Sequence, residues 1–339
     1  MRRHWYLQRW QSQVSIQKGT DVLFKFEDTG SCNGDFSRAI MGKDFGKVPA
    51  KYQLSNTRKE LKQMKKVFIS ADIEGMEGNV SRIGSNRGNM DYALCRRRLA
   101  EDVNAAVRAC FDSGYDEVYV CDGHGDMENL IIEDMDPRCK LVSGAMRNSL
   151  QMEGIDSSFD AYISFGHAGA GLTLGGVIDH CYNGGKIYNL RFNGVTMNTE
   201  TVCNGLVAGF YGVPLIACIG DKALAEECKA FVPNIEGIVV KEGRSRFSAI
   251  SVHPTVAREM IYNGVKAALA RRDEIKPIEC AETLTMEIDY KDSNMADTAS
   301  LVPGVKRLSP RTVSFTGDPE TVFKVHELLI FRLVDAYNL

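Results

Sequence analysis

The fold is decided by the stretch Val67-Phe68-Ile69-Ser70-Ala71-Asp72-Ile73-Glu74-Gly75. Its first residues are mostly apolar, which is typical of a buried strand, and Gly75 and Gly78 indicate that the chain turns after it. Asp72 and Glu74 stand two positions apart, so their side chains share one face of an extended segment. Two buried carboxylates repel each other unless a cation or a proton lies between them. The pair therefore indicates a metal site or, on a purely structural interpretation, an acidic strand end that meets water or caps a helix.

Composition limits the classes of protein to consider. The chain has 339 residues, with 44% hydrophobic and 25% charged residues, which suits a globular protein of one large α/β domain with additions, or of two domains. The net charge of -3 does not favour nucleic acid or an anionic membrane as a partner. No apolar run approaches the roughly 20 residues that span a bilayer, and no signal-peptide core follows the N-terminus. The ten scattered cysteines include no C-x-x-C pair, so we expect small core cysteines in a reduced, cytoplasmic protein.

Residues 1–63 differ from the rest of the chain. They contain both tryptophans and many Arg, Lys and Gln residues without a clear period, apart from a predicted short strand at Val22–Phe26. We expect a poorly patterned, disordered N-terminal extension. A start of the protein at Met64, directly before the first convincing strand, is the alternative.

Two further parts follow. Residues 64–274 alternate strands with helices, which predicts an α/β core with a doubly wound, mostly parallel sheet and helices on both faces. Residues 275–339 contain two predicted strands, Thr283–Tyr290 and Arg311–Thr316, and a last helix that ends near Tyr337. This part is predicted to be a smaller β-rich C-terminal sub-domain.

Two of the six histidines occupy equivalent places in the pattern. His124 and His167 each follow a predicted strand and are flanked by glycine, as the carboxylates of Asp72 and Glu74 follow theirs. In open α/β sheets the ligand crevice lies at the carboxyl ends of the strands. These side chains would therefore meet at one edge, in a combination that suits zinc or a similar first-row ion. A single Gly-His turn is more often structural, so the indication rests on the combination.

Other motifs admit two interpretations. The glycine-rich run 166–176 suggests a phosphate loop, but its spacing and its lack of a P-loop lysine disfavour one. Asp122, two residues before His124, is predicted either to bind the metal or to orient an imidazole that does. The basic run Lys241–Ser248 lines a pocket or is a solvated loop. We expect His253 to cap a helix and His326 to be a core residue.

Several motifs in the same order resemble the D-aminopeptidase family of dinuclear zinc peptidases (peptidase family M55). The resemblance extends from about residue 65 to the C-terminus and leaves residues 1–63 outside. The matching motifs are Ser70-Ala-Asp72-Ile-Glu74-Gly75-Met-Glu-Gly78, Asp122-Gly-His124, Ser143-Gly144, Met152-Glu153-Gly154, Gly166-His167-Ala168, Val177-Ile-Asp179-His180, and Asn193-Gly194 followed by Glu200 and Asn204.

The resemblance implies two zinc ions per chain, with manganese or cobalt as alternatives. It implies that Asp72 bridges the two ions. Glu74 and His167 would complete one site, and His124 and Glu200 the other. The position of Glu200 depends on the resemblance alone, because the chain has one extra residue before it.

His180 matches the catalytic histidine of the family. It is flanked by Asp179 and Cys181, where the family has serines, and a carboxylate at Asp179 would raise the pKa of His180 if it pointed inward. An aminopeptidase also needs a group that receives the α-amine of the substrate. Asp126, Glu153 and Asp179 are the candidates.

The implied function is hydrolysis of short peptides or amino-acid amides with a free N-terminal amine, by a metal-activated water and with a preference for D-residues. The family further implies a homo-oligomer, a decameric ring whose active sites face an inner chamber. Two alternatives share the ligand set. One is a metal-dependent amidohydrolase acting on a non-peptide amide, and the other is a non-catalytic assembly protein with a structural metal. The lack of cysteine near the cluster, apart from Cys181, argues against the latter.

Overall fold

The computed structural model describes residues 64–333 of the chain. The predictions made for residues 1–63 and for the end of the last helix lie outside these residues. The strands are β1 (Lys66–Ala71), β2 (Glu117–Asp122), β3 (Lys140–Val142), β4 (Ala161–His167), β5 (Ile187–Phe192), β6 (Val195–Thr196), β7 (Leu215–Asp221), β8 (Glu236–Ser245), β9 (Ser248–Ser251), β10 (Leu284–Tyr290), β11 (Lys306–Arg307) and β12 (Thr312–Gly317).

Seven α-helices accompany the strands in the described part of the chain. They are α1 (Arg82–Ser85), α2 (Tyr92–Asp112), α3 (Glu200–Phe210), α4 (Lys222–Phe231), α5 (Pro254–Ala270), α6 (Ser293–Ala299) and α7 (Pro319–Glu327). Three short 3-10 turns lie at Ile132–Asp134, Leu150–Met152 and Arg272–Glu274. A π-helical turn, Leu328–Arg332, continues α7.

The larger sheet has the order β3-β2-β1-β4-β7-β8-β9, and all its pairs are parallel except β8 with β9. Strands β4 and β7 are buried along their whole length, as expected for parallel strands covered by other elements. Strands β2 and β4 lie on opposite sides of β1, so the order of winding reverses there. A crevice forms at the carboxyl edge of a sheet where this reversal occurs. The predicted class, a mostly parallel sheet flanked by helices, is confirmed.

The smaller sheet is antiparallel, with the order β11-β12-β10-β5-β6. The sequence analysis predicted β10 and β12 but missed β5 and β6, which precede residue 274. Strand β5 finds its partner far along the chain, where Arg191 forms ion pairs with Glu287 and Asp289 of β10 at 2.7 Å each. The smaller sheet thus takes strands from both sides of the proposed boundary at 274.

The helix ends follow capping chemistry. Asp221 and Asp318 accept backbone N–H bonds at the starts of α4 and α7, and Pro319 occupies the first position of α7. His253 caps α5 by accepting from the N–H of Thr255 at 3.3 Å, as predicted. By contrast, Asp91 stands at the start of α2 without a capping bond from its side chain.

The described cysteines agree with the prediction of core residues. Eight of them are buried, one is half-buried, and none of these nine is in a disulfide. His326 is also buried, as predicted. Among the described helices, none combines the length and the apolar character that a membrane span requires.

Candidate metal centre

The five predicted ligands meet at the carboxyl edge of the larger sheet. Asp72 and Glu74 follow β1, His124 follows β2, His167 is the last residue of β4, and Glu200 is the first residue of α3. Their ligand atoms form two triads, and within each triad all atoms lie within 4.8 Å of one another. All five side chains are buried except that of His124, which is partly exposed. Four elements thus place acidic and imidazole groups together, although acidic groups normally remain in water.

The two triads share Asp72 but differ from the pairs that the resemblance implied. Glu74 belongs with His124, whose Nδ1 lies 2.9 Å from Glu74 Oε2 and 3.0 Å from Asp72 Oδ1. His167 belongs with Glu200, because its Nδ1 lies 3.0 Å from Glu200 Oε2 and 3.2 Å from Asp72 Oδ2. The cause is the strand order, since His124 and His167 follow strands on opposite sides of β1. We name the groups the first triad (Asp72, Glu74, His124) and the second triad (Asp72, His167, Glu200).

Both imidazoles are held by the ring nitrogen that faces away from the carboxylates. Nε2 of His124 donates to the backbone carbonyl of Ser85 at 2.8 Å. Nε2 of His167 lies 2.9 Å from the hydroxyl of Ser70, which in turn lies 2.7 Å from the hydroxyl of Tyr162. The bond to the Ser85 carbonyl places the proton of a neutral His124 ring on Nε2 and leaves the lone pair of Nδ1 directed at the carboxylates, as is usual for histidine ligands of metals. Between His167 and Ser70 either atom can be the donor.

This donor set fits divalent metal ions. A lone pair of Nδ1 at about 3 Å from carboxylate oxygens is repulsive unless a proton or a cation lies between them. Moreover, Glu74 Oε2 is buried without a hydrogen bond to any described residue, although it lies near the ring of His124. Imidazole nitrogen and carboxylate oxygen are ligands that zinc prefers. Each triad therefore offers three protein ligands and leaves a position for water or substrate.

The pKa values of the ligands are shifted because their carboxylates and imidazoles are buried close together. Burial favours a raised pKa of Asp72, but its hydrogen bonds with His124 and His167 outweigh burial and hold the pKa well below its usual range. Burial and then the charge of Asp72 raise the pKa of Glu74. Burial alone would lower the pKa of His167, whereas hydrogen bonds to Asp72 and Glu200 raise it to about 10. Without metal, protons on the imidazoles must balance the carboxylates, and a bound cation takes over that role.

A closed ring of hydrogen bonds orients Glu200. Gln151 donates from Nε2 to Glu200 Oε2 at 2.6 Å and accepts from Asn204 Nδ2 at 2.6 Å. Asn204 accepts from the hydroxyl of Tyr182 at 2.9 Å, and the backbone N–H of Tyr182 donates to Glu200 Oε1 at 2.7 Å. Both oxygens of Glu200 are therefore fixed. Sequence reasoning missed Gln151 and Tyr182, because neither belongs to a pattern of ligands.

Backbone strain accompanies this ring. Leu150, directly before Gln151, has φ 48°, and Tyr182 has φ 52°. Left-handed backbone is unfavourable for such bulky residues and persists only where the surroundings determine it. Tyr182 is a member of the ring and Leu150 directly precedes one, so the strained backbone lies where the ring holds Glu200.

His180 points a free ring nitrogen toward the centre. Its Nδ1 donates to the carbonyl of Ile178 at 2.8 Å, and its Nε2 lies 3.5 Å from Glu200 Oε1. The condition set for an effect of Asp179 on His180 is not met, because the carboxylate of Asp179 forms an ion pair with Nε of Arg246 at 2.8 Å. Burial lowers the pKa of His180, and the charge of Glu200 and of the other carboxylates of the centre raises it above its usual value.

A cavity of about 280 Å³ opens above the two triads. Its walls combine the ligands with glycines, polar side chains and two arginines. The lining residues are Asp72, Glu74, Arg82, Asn86, Gly123, His124, Gly125, Gln151, Ile178, His180, Tyr182, Asn183, Gly184, Gly185, Glu200, Arg246 and Phe331. The volume suits a small ligand of a few residues.

None of the three carboxylates predicted to receive an α-amine lines this cavity. Asp126 pairs with Arg87 at 3.2 Å on the surface. Glu153 accepts from two backbone N–H groups. Asp179 pairs with Arg246. The acidic groups that do line the cavity, in the described part of the chain, are those of the two triads.

Asp122 uses both of its carboxylate oxygens within the turn after β2. It accepts from the backbone N–H groups of Asn129 at 2.6 Å and Leu130 at 2.7 Å. These bonds, with Asn129 donating to the carbonyl of His124 at 2.6 Å, fix the turn that carries the imidazole. The structure thus favours the second of the two roles considered for this carboxylate.

The basic run Lys241–Ser248 is neither a loop nor wholly solvated. Strand β8 continues to Ser245 and turns into β9. Lys241 is buried and donates from Nζ to the backbone carbonyls of Glu74 and Asn79. It thereby holds the turn that carries the ligands of β1, while Arg246 lines the cavity.

The glycine-rich run directs backbone N–H groups at a carboxylate of the protein itself. Its backbone N–H groups at Ala170, Leu172 and Thr173 donate to the carboxylate of Glu227 at 2.8, 3.0 and 3.0 Å. The protein thus supplies its own anion to this loop. The prediction against a nucleotide loop is supported by these contacts.

Fold and site together define a class, that of an α/β protein with a candidate metal centre at the switch point of a parallel sheet. The sequence model of peptidase family M55, described as D-aminopeptidase, matches residues 64–328. The chain therefore belongs to the D-aminopeptidase family, and the expectation of an enzyme that hydrolyses peptide bonds is confirmed.

Two similar proteins come from Bacillus subtilis. The D-aminopeptidase of strain 168 is 29% identical over 253 residues, which are 74% of this chain and 90% of the relative. The solved structure of a Zn-dependent D-aminopeptidase, DppA, described as a self-compartmentalizing protease, has a TM-score of 0.76 at 26% identity. That similarity covers 81% of this chain and 99% of DppA.

Proposed function

We propose that this protein is a dinuclear zinc aminopeptidase that hydrolyses short peptides or amino-acid amides with a free N-terminal amine. The observation that carries the proposal is the pair of triads that share Asp72, because a bridging carboxylate is how two metals are held close together. The zinc dependence of DppA and the names of both relatives support it. Manganese or cobalt are possible substitutes for zinc in such a ligand set.

When bound, the metals supply a water of lowered pKa and polarise the carbonyl of the substrate. The residues of the chain hold the metals and move the proton. The first and second triads would hold one ion each. Since Nδ1–H of His180 is engaged with the carbonyl of Ile178, its Nε2 is left to accept a proton, and in the protonated ring it would stabilise an oxyanion or give that proton to the leaving amine.

The preference for D-residues is proposed from the names of the relatives, since no wall of the cavity reveals it by itself. Assays with D-aminoacyl and L-aminoacyl compounds measure this preference. Activity on a non-peptide amide but not on aminoacyl compounds of either hand would favour the alternative, a metal-dependent amidohydrolase with the same ligands.

We also propose that the chain forms a homo-oligomer, a decameric ring, because DppA is described as self-compartmentalizing. We propose the cytoplasm as its location from the scattered cysteines and the absence of a signal-peptide core in the sequence. Light scattering coupled to size-exclusion chromatography measures the mass of the assembly. A mass of 37.6 kDa, that of one chain, would contradict the proposal.

Residues 1–63 remain a proposed extension, consistent with the start of the family match at residue 64.

The decisive experiment measures zinc per chain by elemental analysis of protein purified without added metal. The same sample is assayed with D-alanyl and L-alanyl p-nitroanilide. About two zinc ions per chain with selective cleavage of the D-compound is the expected result. No metal, and none regained on titration, would overturn the proposal.

A further inference from the structure

The cavity above the triads has an uneven distribution of charge. Its acidic groups lie on the floor, in the triads, and its cationic side chains other than histidine are Arg82 and Arg246. The two arginines differ in their partners. Arg246 is already neutralised, because its Nε pairs with Asp179 Oδ1 at 2.8 Å and its terminal nitrogen donates to the Asp179 carbonyl at 2.9 Å.

Arg82 has no such partner. Its guanidinium forms no ion pair with any carboxylate among residues 64–333, although it belongs to a chain with more acidic than basic residues. Arg87, only five positions later, shows the usual behaviour of a surface arginine in this segment. It pairs with Asp126 at 3.2 Å and with Glu128 at 3.6 Å.

The position of Arg82 is fixed relative to the centre. It is the first residue of α1, and Ser85, one helical turn later, accepts the Nε2–H bond of the ligand His124. Asn79 donates to the hydroxyl of Ser85 at 3.0 Å, so this short helix is tied to the turn after β1. Arg82 therefore stands at the rim of the cavity beside the first triad.

We propose that Arg82 binds the C-terminal carboxylate of the substrate, so that the enzyme selects short free peptides over their amides. This inference rests on the proposed function. The scissile bond must lie at the metals that the triads would hold on the floor of the cavity, so the C-terminal carboxylate of a short peptide is directed towards the rim. A guanidinium matches a carboxylate with two parallel hydrogen bonds, which an uncharged amide group cannot reproduce. The cavity volume of about 280 Å³ suits a peptide of a few residues between the floor and the rim.

The test compares D-alanyl-D-alanine with D-alanyl-D-alaninamide as substrates of the zinc-loaded protein. For each variant, the ratio of kcat/KM for the free acid to kcat/KM for the amide is measured. We expect R82Q to lower this ratio about tenfold, mainly through KM of the free acid. R82K keeps the charge but not the planar fork, so it should recover part of the ratio.

Two matched variants act as controls. R87Q removes a neighbouring arginine that does not line the cavity, and it should leave the ratio unchanged. R246Q removes the support of Asp179 beside His180, so it should lower both values of kcat/KM together and keep their ratio. A general loss of stability likewise lowers both values, which separates misfolding from loss of carboxylate binding.

An unchanged ratio in R82Q, or a ratio that collapses in R246Q instead, would overturn the assignment of Arg82. Failure of the wild-type protein to cleave either compound, with metal bound, would instead count against the proposed aminopeptidase activity. The two failures are therefore distinguishable.

Discussion

Asp72 belongs to both triads, with one carboxylate oxygen facing each imidazole. Its side chain is nearly isosteric with asparagine, which keeps the volume but loses the charge. We expect D72N to lose both metals and more than about 100-fold of kcat, since the bridge is part of each site. In E200Q, by contrast, only the metal of the second triad should be lost. Elemental analysis and kinetic assay of both variants measure this.

The control for these variants is D126N, which alters an exposed carboxylate outside the cavity. It should keep wild-type metal content and activity. Full zinc content and activity in D72N, with an unchanged circular dichroism spectrum, would contradict the role of the shared carboxylate.

Gln151 determines how firmly Glu200 is held. The variant Q151M keeps a similar volume but removes the hydrogen bonds to Glu200 and Asn204. Changes of this kind typically weaken metal binding by about 10–100-fold. A chelator titration should therefore remove one of the two metals earlier than in the wild type.

The neighbouring substitution M152L controls for repacking of the same buried turn and should give the wild-type titration. An unchanged titration of Q151M would show that the ring of hydrogen bonds is not needed to hold Glu200.

His326 predicts a pH dependence of stability. Burial lowers its pKa to about 3, and its Nε2 has no hydrogen bond to any described residue. Above the unfolded pKa of about 6.5 neither state binds the proton, and the stability is fully present. As the pH falls from about 6.5 towards 3, only the unfolded chain is protonated, and the native state loses stability.

We expect this loss to reach about 2 kcal/mol at pH 5, from 1.36 kcal/mol per pH unit below the unfolded pKa. The variant H326L should lack that part of the pH dependence, as measured by urea denaturation of metal-free protein at pH 5 and pH 7.5. H253N, which changes an exposed histidine, should retain it. Parallel curves for H326L and the wild type would refute the assignment.

Among the structural elements, the glycine-rich loop depends on Glu227 of α4. The variant E227A leaves three backbone N–H groups without their acceptor, which should cost about 2–4 kcal/mol of the free energy of unfolding. Denaturation with urea measures it. E226A, at the exposed neighbouring position, should change stability by less than about 0.5 kcal/mol. Equal stability of the two variants would mean that water accepts the hydrogen bonds of the loop N–H groups in place of Glu227.

The elements that sequence could predict are those with local patterns. The apolar run into Asp72 and Glu74, and the glycine-flanked histidines His124 and His167, are readable because strand ends in a parallel sheet share one edge. Glu200 came only from the resemblance to a family. It begins a helix after strands β5 and β6, of which β6 has only two residues and β5 finds one of its partners, β10, far along the chain.

The remaining parts of the site depend on contacts that no local pattern encodes. Gln151 lies in a 3-10 turn, and its hydrogen bonds reach residues 49 and 53 positions away. The pairing of ligands into triads followed from the strand order, which a list of motifs does not contain. The orientation of Asp179 likewise depends on Arg246, which lies on a distant hairpin.

For the whole molecule, metal binding should add to stability because the triads exist only in the folded chain. A ligand at 100 times its Kd contributes about 2.7 kcal/mol. Chelation should therefore lower Tm by several degrees, and zinc should restore it. Magnesium should not, since it binds imidazole poorly. Differential scanning fluorimetry with and without chelator measures this, and an unchanged Tm would mean that the folded state gains nothing from metal.

The long-range pairing within the smaller sheet also has a consequence for biosynthesis. Arg191 of β5 and its partner Asp289 of β10 are 98 positions apart, about twice the separation of Lys66 and Glu117, which pair in the strands of the first triad. At about 5–20 residues per second, a ribosome makes β5 several seconds before β10. The hairpin of β5 and β6, which leads to Glu200, is therefore synthesised before its neighbouring strand β10. We expect that all five residues of the two triads have been synthesised before β10, so the smaller sheet closes only after the ligands of the centre have been made.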